Sequence, residues 1–199
     1  MSDGPHRAGV ARALSLALIC LVLLGMSVSS EDLILRRAAG EIHVMAPRIH
    51  FLTGRALQRL RDGGTVPFDF QFSIAAGTKT NVVGRTVERF MVSYDVWEEK
   101  FKVVALGNYR RYSSHLSANG AEAWCLENIF VPATGIPGDK QLWARLEIRG
   151  VEPKEQASAF PDPGISISTL IEIFSHQPRS QQEHIALEST PFLLSELKP

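Results

Sequence analysis

Between Val66 and Ile74 the chain alternates without a break, with Val66, Phe68, Phe70, Phe72 and Ile74 set against Pro67, Asp69, Gln71 and Ser73. A period of two puts the first set on one face of a strand and the second on the other, whereas a helix would scatter both sets around its axis. Three phenylalanines on one face bury on the order of 150–250 Å² each. The strand is therefore expected to be a main wall of the core, with Asp69, Gln71 and Ser73 facing water. Pro67 lies near its start, where a missing ladder donor is tolerated.

The neighbouring segments fit a sheet. Phe90, Val92, Tyr94 and Val96 alternate before Glu98-Glu99-Lys100, and Phe101, Val103 and Ala105 alternate after it, so Arg89 to Leu106 is predicted to be a hairpin. Leu142, Ala144, Leu146 and Ile148 alternate with Trp143, Arg145, Glu147 and Arg149 as a further strand, and Ile185 with Leu187 marks a short last one. Ile42 and Val44 place the opening strand within Glu41 to Phe51. Helices are expected in three places. Thr53 caps the first, which carries Ala56, Leu57 and Leu60 and stops at Gly63-Gly64. Asn119 and Glu122 form a capping pair for the second, with Ala121, Trp124 and Cys125 at helical spacing before Pro132. The third follows the proline-rich stretch Gly150 to Gly164, where Ile167, Leu170, Ile171 and Phe174 make a docking stripe. Without regular βαβ alternation, the expected class is α+β and β-rich: an antiparallel sheet or β-sandwich with about three short added helices.

The first thirty residues set location. Arg7 and Arg12 precede an apolar run from Ala13 to Met26, and Val28-Ser29-Ser30 supplies a small-x-small site before Glu31. This is the pattern of an export signal cleaved after Ser30, leaving 31–199 as a single exported β-rich domain. The other reading of the segment is an uncleaved anchor, for which the run is shorter than the ~20 apolar residues that cross a bilayer. A lipidated Cys20 fits poorly, because Ile19 precedes it and Leu21 to Leu24 continue the apolar core. Export to the periplasm or cell envelope is the expected localisation.

With 45% hydrophobic and 21% charged residues the chain has the make-up of a globular protein. It is formally neutral, and removal of Met1–Ser30 with two arginines and one aspartate leaves −1, so no electrostatic footprint for nucleic acid exists. Cys125 is then the single cysteine and pairs with no other within the domain. Flanked by Trp124 and Leu126, it is expected as a buried small hydrophobe.

Catalytic patterns are weak. His43, His50, His115, His176 and His184 form no i, i+4 pair and no H-E-x-x-H motif, so no metal ligands are assigned. Gly135-Ile136-Pro137-Gly138-Asp139-Lys140 has neither the spacing nor the Ser/Thr of a phosphate loop. No serine sits in a G-x-S-x-G elbow. Asp69 and Asp95 could serve as acid and base only if the fold brought them together. No catalytic residue and no cofactor is assigned. Arg48, Arg55 and Arg59 form a short basic stripe near the first helix. A better interaction surface is the strand face carrying Trp143, Arg145 and Arg149, since Trp and Arg are the usual anchors of binding surfaces.

Arg55-Ala56-Leu57 leading through Gly63-Gly64 to Val66-Pro67-Phe68, Val92-Ser93-Tyr94 followed by Phe101-Lys102-Val103, and Ala144-Arg145-Leu146-Glu147-Ile148 together resemble an exported bacterial protein family, domain of unknown function 4390, as a distant member. The resemblance spans most of the mature chain. It implies a bacterial envelope setting and transfers no catalytic residue. The expected function is a non-enzymatic binding or interaction module at or near the membrane, with an envelope protein or the membrane surface as partner and no oligomeric state assigned. The alternatives are a hydrolase or a carrier of an apolar ligand held inside the sandwich, and a histidine, His43 or His50, packed with Asp69 or Asp95 in a cleft would favour the hydrolase.

Overall fold

The structure, a computed structural model, describes residues 33–107, 110–151 and 184–198. The expected signal segment and the expected third helix lie outside them. Nine strands are described: β1 Ile34–Ala38, β2 Glu41–Met45, β3 Thr65–Ala76, β4 Val82–Asp95, β5 Lys100–Ala105, β6 Arg111–Leu116, β7 Phe130–Pro132, β8 Leu142–Gly150 and β9 His184–Glu188. The helices are α1, Gly54–Arg61, and α2, Ala118–Glu127, with a 3₁₀ turn at Leu194–Glu196. Six strands form an antiparallel sheet in the order β6-β5-β4-β3-β8-β9, and three form a small antiparallel sheet, β1-β2-β7. The fold is α+β and β-rich, as the alternation predicts.

Register explains the core. Phe68, Phe70 and Phe72 lie opposite Phe90, Glu88 and Thr86 of β4 on one side and Gly150, Ile148 and Leu146 of β8 on the other. The apolar face of the large sheet joins α1 (Ala56, Leu60), α2 (Ala121, Cys125, Leu126) and the small sheet (Ile42, Val44, Val131) in one cluster. A run of ring contacts crosses it. Phe51 meets Phe68 and Phe70 at centroid distances of 4.9 and 5.3 Å, Phe70 meets Phe90 at 4.9 Å, and Phe90 meets Trp124 at 6.1 Å, all near edge-to-face. Gly84 lets β7 approach closely, because a Cβ there would stand 2.6 Å from Val131 Cγ1. Beside it the Thr86 hydroxyl donates to the Phe130 carbonyl at 2.6 Å.

Three expectations are corrected. The chain enters the fold earlier than Glu41: β1 pairs with β2 through Ala39-Gly40, both at positive φ, as a two-residue hairpin loop demands. Lys198 lies near the same edge, its carbonyl accepting from the Arg37 N–H at 2.9 Å. The second helix is capped by Ser117, whose hydroxyl accepts from Gly120 N–H at 3.1 Å, and not by Asn119. Finally, the Asp69, Gln71 and Ser73 face of β3 is buried. Asp69 is tied to Arg89 of β4, directly opposite it, by two bonds of 2.5 and 2.6 Å. A charged pair makes that face polar without making it wet.

Candidate functional site

The three residues singled out on β8 share one face of the sheet. They do not form an open arginine surface. Glu147 lies between the two guanidiniums, taking Arg145 Nη2 at 2.6 Å on Oε1 and Arg149 Nη2 at 3.1 Å on Oε2. Arg145 also reaches Glu188 Oε1 at 3.3 Å, and Glu188 Oε2 holds Lys79 at 2.6 Å. The Arg145 side chain is 48% exposed, Arg149 is buried and Trp143 is half-buried. The ion pair with Lys79 lowers the Glu188 carboxyl below its ordinary value. Burial, with Arg149 nearby, lowers the His184 imidazole on the adjoining strand. The face is a ladder of ion pairs whose most accessible members are Lys79 and Arg145, with Trp143 half-buried beside them.

The carboxylate pairings that would make an acid and base of Asp69 and Asp95 do not form. Asp69 is engaged by Arg89, and Asp95 Oδ1 accepts the backbone N–H of Trp97 and Glu98 at 2.9 and 3.0 Å. That second arrangement shapes the tip of the β4–β5 hairpin. Asp95 folds the chain back on itself, Glu99 completes the turn at φ 53°, and Val96 and Trp97 are left at its apex, 55% and 96% exposed. Behind the apex, Lys102 Nζ lies 5.9 Å from the ring centre of exposed Tyr112.

A second feature was only partly legible in the sequence. Glu122 of α2 turns its carboxylate onto the segment that leads into α1: Oε1 accepts the Phe51 and Leu52 N–H, each at 2.8 Å, and Oε2 lies 2.8 Å from His50 Nδ1. Buried Glu122 thereby fixes His50, whose side chain remains 53% exposed. His50 stands in a cleft of about 300 Å³ between the end of β2 and α2, with Ile34, Met45, Ile49, Ala123 and Leu126 among its walls. Asn119, Glu122 and Glu127 are its other polar members. His43 goes elsewhere, to Glu41 at 3.2 Å and the ring of Phe130. The sequence signal was present only in part, as Glu122 stood out at its spacing from Asn119, but its partners lie 70 to 72 residues away.

Cys125, next to this cleft, is fully buried, and burial pushes its thiol well above its ordinary range. Among the described residues, no group of three His, Cys, Asp or Glu side chains is placed to hold a metal ion, and no helix is long and apolar enough to cross a membrane. Comparison with known proteins finds no matching family model, no matching curated protein and no matching solved structure.

Proposed function

We propose that the protein is a non-enzymatic binding module of the bacterial envelope, distantly akin to domain of unknown function 4390, that works against the membrane surface through the apex of the β4–β5 hairpin. The observation that carries this reading is Trp97, 96% exposed beside Val96 on a turn held by Asp95. Indole favours the membrane–water boundary, where an apolar ring and a polar N–H are both satisfied. The flanking charges, Asp95, Glu98 and Glu99 against Lys100 and Lys102, are near balance, so attachment rests on the apex side chains and is insensitive to salt. A protein partner would ask for more surface, since a standard interface covers roughly 800 Å² on each side around its anchor. The basic start and apolar run of the N-terminal segment support the same setting.

The test is fluorescence quenching by brominated lipid in vesicles carrying the full chain. The protein should lose a component of its emission that the Trp97→Phe variant lacks. Equal quenching of the two proteins overturns the reading, whether or not the N-terminal segment is inserted.

A hydrolase reading has one specific observation in its favour, the His50–Glu122 pair in a cleft. Among the described residues the lining of that cleft offers no hydroxyl, thiol or amine nucleophile, so His50 would have to activate water directly.

A further inference from the structure

The cleft beside His50 has an electronic polarity as well as a shape. Oε1 of Glu122 already accepts two backbone N–H groups, and its Oε2 faces His50 Nδ1. A carboxylate only accepts. Nδ1 is therefore the donor in this contact, and a ring whose one N–H is at Nδ1 has its lone pair on Nε2. Among the described residues that atom has no partner, and it belongs to a half-exposed side chain that lines the cleft. The walls of the cleft that His50 lines are aliphatic, supplied by Ile34, Met45, Pro47, Ile49 and Leu126. Among the described residues of the lining the carboxylates are Glu122 and Glu127, and none is a lysine or arginine. An anion would meet two carboxylates with no cation to offset them.

From this we infer that the cleft is a binding site for a small aliphatic molecule bearing a hydroxyl, which donates to His50 Nε2 while its hydrocarbon lies against β2 and α2. A volume of about 300 Å³ stands at the lower end of the range for ligand pockets, which are characteristically apolar with few fixed polar groups. The site is separate from the hairpin apex and independent of membrane attachment. It also differs from a cavity within the sandwich, because it opens between the small sheet and α2.

The experiment is a titration of the full chain, purified in the form the expressing cell makes it, with 1-hexanol and with hexanoate at pH 8, followed by backbone amide shifts of Ala46, Ala123 and Leu126. Hexanol should saturate these shifts, and hexanoate should bind at least ten-fold more weakly. His50→Phe, which keeps the ring volume and deletes the acceptor, should weaken hexanol roughly five-fold, the worth of one neutral hydrogen bond. Ala123→Phe should abolish saturation by filling the cleft. Ala123 is exposed, so this variant retains the core, and a thermal melt matching wild type verifies that. Hexanol shifts that survive Ala123→Phe, an undiminished affinity in His50→Phe, or hexanoate binding as tightly as hexanol would each overturn the assignment.

Discussion

Removing one member of the Asp69–Arg89 pair should be among the most damaging single changes available to this fold. Asp69 is fully inaccessible and Arg89 nearly so, and Arg89 Nη1 has no hydrogen-bond partner. The pair is thus desolvated and imperfectly compensated. Asp69→Asn leaves a guanidinium buried against a neutral amide, and Arg89→Met takes from the buried Asp69 carboxylate the guanidinium that meets both its oxygens. Either should cost about 3–5 kcal/mol, the range for breaking a buried ion pair, out of the ~5–15 kcal/mol that holds a typical domain together. The double variant Asp69→Leu/Arg89→Met behaves differently. It removes both charges and keeps the hydrocarbon, so it should be less destabilised than either single variant. Urea melts of the three proteins and wild type, compared at constant m, give the cycle. Single variants that each cost under about 1 kcal/mol would refute the reasoning, because the pair would then behave like a surface salt bridge in contact with water.

Phe70→Ala should cost about 3–5 kcal/mol in the same melts, since the ring is fully buried between Phe51 and Phe90. Its neighbour Gln71 is buried with an unpartnered Oε1, so Gln71→Met should fall within about 1 kcal/mol of wild type in either direction. Glu88 supplies a pH signature: burial raises its carboxyl above the ordinary value, opposed by Arg111 and by the backbone N–H groups of Gly107, Arg89 and Leu106. Between pH 4.5 and the raised value the folded state holds more protons than the unfolded one, so the contribution of Glu88 falls as pH rises through that window. Thermal melts of Glu88→Gln and wild type should therefore shift in favour of the variant as pH rises from 4 to 7, and a gap constant with pH would contradict this.

The elements legible in the sequence were those that bury one apolar face. β3, the β4–β5 hairpin, β8, β9 and α1 all announce themselves by period, and the structure forms each there, except that Val96, expected to continue the alternation of β4, lies beyond it at the exposed apex. What stayed hidden has physical reasons. β1 carries Ile34 and two arginines on a half-exposed edge, and its turn uses Ala39 at φ 51° where the usual signal is Asn or Gly. β6, Arg-Tyr-Ser-Ser-His-Leu, lacks alternation, its pairing with β5 is interrupted by a register shift, and it carries His115 at φ 60°. The buried polar face was misread because alternation reports the polarity of side chains and not their access to water. Asp69 and Arg89 find each other through cross-strand register 20 residues apart. The His50–Glu122 contact depends on α2 packing beside the small sheet, and no local rule encodes a contact of that range.

The pairing of β2 with β7 has a consequence for the order in which the molecule is completed. A chain that emerges amino end first presents the β1–β2 hairpin before the rest of the described fold, with Ile42 and Val44 bare, because α2 and β7, which pack and pair with β2, have not yet arrived. An isolated two-stranded hairpin is marginal in water. These strands therefore wait at least for Ala118–Pro132, which supply α2 and β7, and during that interval an apolar strand pair is open to helpers or to other chains.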